Sequence, residues 1–513
     1  MRFAKASHFA VALLLTTILL ATIAAAQTDT GYTQFFLACS SQCIGAQQSN
    51  VLQNPWGIAY LPGQDFVFAE NGIGRVDSYD VAGRLGSGFN VPLPAGSTLT
   101  MSKPTGMVAD PAMNFHRGMR TFQFFVATEE GTIVGFSANN GQLGQAEVVV
   151  DESRSAVFTG LTLLHPSCCN PALAVANFHD ARLEVYTLSL TELPGDFEDP
   201  NLPAGYAPYN IQVVGTQVFI AYAKQDAAGH DPVFGEGNGI VNIFDQDGHF
   251  IRRFISEGGK LNIPWGITKA ADHFGPFAGD ILIGNASDGR INVYDPATGN
   301  FLTQLTNSLD DLFVNPGLHG MVFRNDGIGD QDDLYFTAGA RDVDGSFAFI
   351  GVGELTHTVV SAPDTQDGGT VNITAQVTPA SGNSIVPGSV AFRVDSIEIG
   401  TVSLVNGVAI LAHTFNGAGT HSVTAEYLGV GIDFLPSLGN TQVQVAPGAT
   451  STTLSGPVYI PVNASATFHA RTQSANGVPI GSITFKDGNH QLGTVELASG
   501  IASLAVTLTS GAQ

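Results

Sequence analysis

Asn54-Pro55-Trp56-Gly57-Ile58-Ala59 returns as Ile263-Pro264-Trp265-Gly266-Ile267-Thr268, and more loosely as Lys103-Pro104-Thr105-Gly106-Met107-Val108. Fainter echoes are Phe158-Thr159-Gly160-Leu161, Pro208-Tyr209-Asn210-Ile211 and Leu318-His319-Gly320-Met321. With Trp56, Thr105, Thr159, Tyr209, Trp265 and His319 taken as equivalent, the steps are 49, 54, 50, 56 and 54 residues. Self-similarity at about 40–50 residues, with several short strands per period, marks a β-propeller. Six echoes predict six blades.

Each period carries strand candidates bounded by turn residues. The first has Gly57–Leu61, Asp65–Glu70 and Gly74–Tyr79; the fifth has Gly266–Thr268, Asp280–Gly284, Arg290–Tyr294 and Phe301–Leu305. The sixth has Gly320–Phe323, Asp333–Thr337 and Ser346–Leu355, one strand short. The β-prone run Tyr32–Leu37, which precedes the first echo, is the expected missing member. Pairing it with the last blade closes the ring and removes open sheet edges.

From about Thr358 aromatic residues thin out and Thr, Val, Ser and Gly alternate. About seven short strands over some 90 residues predict a β-sandwich. The unit then recurs, Gly388-Ser389-Val390-Ala391-Phe392 answering to Gly481-Ser482-Ile483-Thr484-Phe485. The second copy stops before a counterpart of Gly419–Tyr427 is made. The expected architecture is all-β: residues 1–26 as a signal peptide, 27–356 as the propeller, 357–447 as one Ig-like sandwich and 448–513 as a second, truncated one.

Val67-Phe68-Ala69-Glu70-Asn71 with Arg75-Val76-Asp77-Ser78-Tyr79-Asp80 resembles the NHL propeller unit, as does Ile283-Gly284-Asn285-Ala286 with Arg290-Ile291-Asn292-Val293-Tyr294-Asp295. Residues ~30–356 also resemble a family of uncharacterised exported bacterial proteins. The phrases that carry this resemblance are Asn54–Ala59, Ala174–Asp180, Leu202–Gln212 and Ala221–Asp226. The C-terminal copies resemble the bacterial Ig-like repeats of surface and secreted proteins. These resemblances imply a fold and an exported setting, but no activity.

The 513 residues carry 44 acidic against 20 basic side chains, a formal charge of −24. That excludes a binder of nucleic-acid phosphates and suits a soluble exported surface. Arg2 and Lys5, the apolar run Phe9–Ile23 and Ala24-Ala25-Ala26 form a signal-peptide pattern. No later run is apolar for long enough to span a bilayer, so no transmembrane segment is expected after cleavage. Four cysteines, Cys39, Cys43, Cys168 and Cys169, are an even set for an oxidising compartment. Either Cys39–Cys43 closes a small loop or that pair bridges to Cys168 and Cys169.

In a propeller the inner-strand starts and the turns after the second strands meet at one mouth of the channel. The candidate ligand-binding set is therefore Trp56, Tyr209, Trp265 and His319 from the starts, with Glu70, Glu129, Asn177, His179, Lys224 and Asp226 from the turns. His179, Lys224, Asp226 and His319 are the sharper candidates, because blade architecture does not itself demand them. The two tryptophans read first as packing between blades. Oxygen and imidazole ligands around an axis could hold a divalent cation such as calcium, although no cofactor is evident from a motif. Lys224–Asn238, about fifteen residues long, is a candidate lid.

No nucleophile elbow, His-Glu-x-x-His, phosphate loop or haem-attachment motif is present in the sequence. Two function classes follow. The first is a binding or cell-surface interaction protein, with an extracellular glycan, peptide or protein as partner. The second is a metal-dependent hydrolase, lactonase or lyase working in the funnel.

Overall fold

A computed structural model of the chain describes residues 29–41, 43, 46–139, 142–167, 169–194, 197–475 and 477–509. The expected signal peptide and Cys168 lie outside them. Apart from two three-residue 3-10 turns, the regular structure among the described residues is strand.

Five sheets of four antiparallel strands follow one another. They begin with the inner strands Pro55–Tyr60, Pro104–Ala109, Phe158–Leu164, Tyr206–Val214 and Pro264–Lys269. Each then steps outward in sequence order; in the first sheet the steps are Phe66–Glu70, Arg75–Tyr79 and Leu85–Asn90. The sixth sheet takes Met321–Phe323, Leu334–Ala338 and Ser346–Glu354 from the end of this region and Thr30–Cys39 from its beginning. Thr30 pairs with Glu354 and Cys39 with Ser346. The early β-prone run thus supplies the strand that the sixth echo lacks. Cys39 and Cys43 are joined by a disulfide, and Cys169 is also disulfide-bonded.

The recurring glycine of the phrase has a steric cause. A Cβ on Gly57 would lie 2.6 Å from the Thr105 carbonyl oxygen, and one on Gly106 2.6 Å from the Leu161 nitrogen. One on Gly160 would lie 2.6 Å from the Asn210 Cα; one on Gly266 would collide with the His319 carbonyl, and one on Gly320 would lie 2.7 Å from the Trp56 carbonyl. In the fourth sheet Asn210 stands in place of glycine, and its side-chain amide donates to the Trp265 carbonyl at 2.7 Å. Each inner strand therefore leans on the next, and the series returns from the sixth to the first. Glycine is required here for close backbone approach.

Between the sheets lie apolar layers. One is Phe66, Phe68, Tyr79, Tyr335 and Phe347; another is Phe219, Val241, Ile243, Ile267 and Ile283. These strands are buried on both faces, which explains why Phe124–Thr128 and Ala172–Asn177 read as continuous apolar runs.

The region after residue 355 folds as two facing sheets. One holds Thr356–Ser361, Thr370–Pro379 and Val408–Thr414; the other holds Thr365–Gln366, Ser437–Ala446, Gly419–Tyr427, Ser389–Val394 and Ile397–Ser403. Ile373, Val390, Phe392, Val423 and Tyr427 fill the space between them. The loop before Ser437 packs on the sixth sheet: the Leu435 N–H donates to the Glu354 carbonyl at 2.9 Å, and Ser308 Oγ donates to the Pro436 carbonyl at 2.9 Å.

The second copy repeats the register. Ser482 pairs with Glu496 as Ser389 pairs with Ser403, with the same irregularity after Phe485 and Phe392. Among the described residues this copy has a three-stranded and a two-stranded sheet. A cavity of about 420 Å³ opens between Leu454, Phe468, Ile483, Phe485, Leu492 and Leu508.

Candidate functional site

The inner strands converge on a cavity of about 510 Å³ at one mouth of the sheet assembly. Two positions of the repeated phrase build it. Trp56, Thr159, Tyr209 and His319 come from the position taken as equivalent in the six echoes; Asn54, Lys103, Val157, Ile263 and Gly317 come from the position two residues before it. Turns after the second strands add Asn71, Glu129, Ser287 and Asp342 to the wall. Asn54 and Ile263 both hold positive φ, 47° and 55°. For a β-branched residue such as Ile263 that is a strained conformation, here held at the rim.

The floor is aromatic. Trp56 stacks on His319 with centroids 4.1 Å apart and an interplanar angle of 13°. Trp265 meets His319 edge-on at 5.5 Å, and Tyr209 lies 6.1 Å from Trp56. Trp265 instead lines a second, smaller cavity of about 170 Å³ with Ile58, Met107 and Met321. The aromatic cluster therefore forms a septum between the two spaces. Its indole N–H groups are engaged: Trp56 donates to Asn54 Oδ1 at 3.2 Å and Trp265 to the Thr159 carbonyl at 3.1 Å.

His319 Nδ1–H donates to the Gly317 carbonyl at 2.8 Å, which leaves Nε2 as an acceptor. Burial pulls its pKa down to about 3, so the ring is neutral at ordinary pH. Burial pushes the Glu129 carboxyl above the usual range, opposed by a hydrogen bond from Asn71 Nδ2 at 2.9 Å and by the charge of Lys103. Burial also pushes the Tyr209 phenol far up, with Glu129 and Asp231 adding to the effect.

Lys224–Asn238 folds over the mouth. His230, Asp231, Pro232 and Phe234 from this loop line the cavity, and Phe234 is 73% exposed. The loop is a hairpin-like turn: Gln225 bridges to Pro232, and Asp226 Oδ1 accepts the His230 N–H at 2.9 Å.

Of the ten residues singled out in the sequence, Trp56, Tyr209, Glu129 and His319 line the cavity. The others do not, and four of them, Trp265, Glu70, Asn177 and Asp226, have structural tasks. Trp265 forms the far side of the septum. Glu70 and Asn177 are buried latches: Glu70 Oε2 accepts the Gln53 N–H at 3.0 Å and Asn177 Oδ1 the Val157 N–H at 3.4 Å, fixing the approach to the inner strand. Asn285 repeats the device with the Asn262 N–H at 3.1 Å. Asp226 caps the loop turn, and the Lys224 carbonyl receives the Val233 N–H at 2.7 Å. His179 is exposed, and its carbonyl takes a hydrogen bond from Gln225 at 3.2 Å. The expected grouping of His179, Lys224, Asp226 and His319 in one pocket thus reduces to His319. Latch and ligand duties draw on the same residue types, so residue type alone did not separate them.

Lys103, Asn54 and Asp342 were missed by the sequence reading. Lys103 Nζ pairs with Asp342 at 3.0 Å, and Asn54 Nδ2 donates to Asp342 Oδ1 at 3.3 Å. For Asn54 and Lys103 the available signal was their shared place two residues before Trp56 and Thr105; Asp342 has none. Among the described residues no group of three or more His, Cys, Asp or Glu side chains is placed to hold a metal ion. No helix among them is long and apolar enough to cross a membrane.

Residues 358–446 match the family described as "Bacterial Ig-like domain (group 3)". The chain is 30% identical over 302 residues to "Uncharacterized protein R648" of Acanthamoeba polyphaga mimivirus, covering 56% of this chain and 72% of that protein. It is 28% identical over 330 residues to "Uncharacterized protein L690" of the same virus, covering 60% of this chain and 82% of that one. Among solved structures, the extracellular domain of the putative hybrid two component system BT4673 from B. thetaiotaomicron is similar with a TM-score of 0.37 and 12% identity; 79% of this chain spans about half of that one, 51%. The gluconolactonase XC5397 from Xanthomonas campestris scores 0.35 at 12% identity, with 63% and 89% covered. Scores this low bear on neither the activity nor the ligand of this chain.

Proposed function

This chain belongs to the same family as the mimivirus relative that it matches at 30% identity, and we propose that it is an exported binding protein that takes its ligand in the aromatic-floored cavity. In this reading the six sheets are the blades of a closed, NHL-like β-propeller over residues 27–356. The Ig-like units at 357–447 and 448–513 serve as spacers or contacts at a cell surface. The cyclic series of inner-strand contacts supports closure, as does the pairing of Thr30–Cys39 with Ser346–Glu354. The disulfide and the Ig-like match support an exported setting.

One observation carries the binding reading. A 510 Å³ cavity, within the range of small-molecule sites, is floored by Trp56 and roofed by the long turn between the second and third strands of the fourth sheet. The chain has two tryptophans, Trp56 and Trp265, and both stand in the septum. Intrinsic fluorescence therefore reports on the cavity directly. A screen of neutral glycans, short peptides, organic amines and carboxylates, read by tryptophan emission and thermal shift, should give at least one saturable binder that Trp56→Phe weakens. A screen in which no class perturbs emission or stability would refute the reading.

A further inference from the structure

We propose that the cavity recognises an organic ammonium ion, a small ligand with a cationic nitrogen and an apolar body. This rests on the reading of the cavity as a binding site and adds the class of ligand to it.

The first argument is an excess of unpaired acceptors. Four donors of the lining are used within the wall: Lys103 on Asp342, Asn71 Nδ2 on Glu129, Trp56 Nε1 on Asn54 Oδ1 and Ser287 Oγ on the Asn262 carbonyl at 2.9 Å; the Tyr209 and Thr159 hydroxyls can accept as well as donate. Acceptors remain. Glu129 receives one hydrogen bond and has no ion-pair partner among the described residues. His319 keeps Nε2 free of its Gly317 contact. Thr159, 2% exposed, holds a buried Oγ1 with no hydrogen-bond partner. A buried polar atom left unpaired is destabilising, and a ligand whose N–H groups reach it removes that cost.

The second argument is charge. Glu129, Asp231 and Asp342 stand in the lining against Lys103, which is already paired with Asp342. The whole chain carries −24. Such a field draws in cations and repels carboxylates and phosphates. The third argument is the floor, since Trp and Tyr rings are the preferred apolar partners of an ammonium group. Burial holds the Glu129 carboxyl above its usual range, and a bound cation would favour its ionised form.

The test uses the full chain and three probes of one shape: n-butylammonium, 1-butanol and butyrate, at fixed ionic strength, followed by tryptophan emission. Butylammonium should bind saturably and at least tenfold more tightly than either of the others. Glu129→Gln keeps the acceptor for Asn71 but removes the charge. It should weaken butylammonium at least tenfold and leave butanol unchanged. Asp231→Asn, on the exposed loop, should weaken it severalfold, which covers the case in which Glu129→Gln fails to fold. Asp65→Asn, an exposed carboxylate outside the lining, should change nothing. Equal binding of butanol or butyrate, or unchanged butylammonium affinity in both lining variants, overturns the proposal. If all three probes fail while a glycan or peptide binds in the wider screen, the ammonium assignment falls and the binding cavity stands. If nothing binds at all, both fall.

Discussion

Replacing Gly57 with alanine places a methyl group where the first and second sheets touch. The added Cβ would lie 2.6 Å from the Thr105 carbonyl oxygen, 2.7 Å from the Met107 nitrogen and 2.9 Å from the Met107 Cβ. Ordinary contact would require the neighbouring inner strand to retreat by roughly 0.7 Å or more. Two of the three contacts are backbone, held in a sheet on one side and against the third sheet on the other, so little can yield. Overpacking of this kind costs about 1–3 kcal/mol, and backbone contact argues for the upper end. At about 1.5 °C per kcal/mol for a unit of this size, Tm should fall by about 3–5 °C.

Gly259→Ala is the control. Its φ lies outside the left-handed region, and its Cβ would meet only the Ser256 carbonyl, at 3.9 Å. It should leave Tm unchanged or raise stability by about 0.4–1 kcal/mol by restricting the unfolded chain. Thermal unfolding followed by circular dichroism and tryptophan emission measures both. A Gly57→Ala protein melting within about 2 °C of the parent, or a Gly259→Ala protein falling as far, would refute the close-approach account of the repeated glycine.

Tyr32→Phe should lower stability by about 1–3 kcal/mol in thermal or urea unfolding, because the hydroxyl donates to the Phe274 carbonyl at 3.0 Å and accepts the Phe277 N–H at 3.2 Å. Asp333, pushed up to about 7 by burial and then by Asp330 and Asp332, has a folded pKa above its unfolded value of about 3.9. Folded chain then holds a proton that unfolded chain has lost, so stability falls as pH rises from about 4 to about 7. Asp333→Asn should therefore raise Tm at pH 8, by about 1–2 kcal/mol of stability after screening by solvent, and change little at pH 4. Limited proteolysis should cut residues 450–509 before 356–446, because the cavity beside Phe468 and Phe485 leaves apolar surface uncovered; digestion that begins in 356–446 would contradict this.

Much of the sheet order was legible because a close contact between inner strands forces glycine at the same place in five of the six sheets. The pairing of Thr30–Cys39 was legible by counting, since the sixth repeat showed three strands and one β-prone run had no partner. The loop over residues 224–238 was legible by length. The wall was legible only in part. Lys103 and Asp342 are 239 positions apart, and nothing local shows that they meet. Glu70 and Asn177 looked like ligands because a side chain that accepts a backbone N–H is of the same type as one that binds a solute. His179 and Asp226 looked distinctive for their chemistry, but Asp226 caps the turn of its own loop and His179 is exposed beside that loop. The pairing of Cys39 with Cys43, one of two open alternatives in the sequence, depends on the path of the chain beyond the closing strand.

Hydrogen exchange on the full chain, with and without the tightest binder from the screen, tests the central claim most directly. Binding in the cavity predicts slower exchange in three places at once: the Gln225–Asn238 loop, the approaches to the inner strands at 53–57 and 157–160, and residues 317–320. The Ig-like unit at 356–446 should be unchanged. Protection confined to that unit, or to the outer strands such as Leu85–Asn90 and Phe250–Ile255, would place the ligand elsewhere and contradict the account.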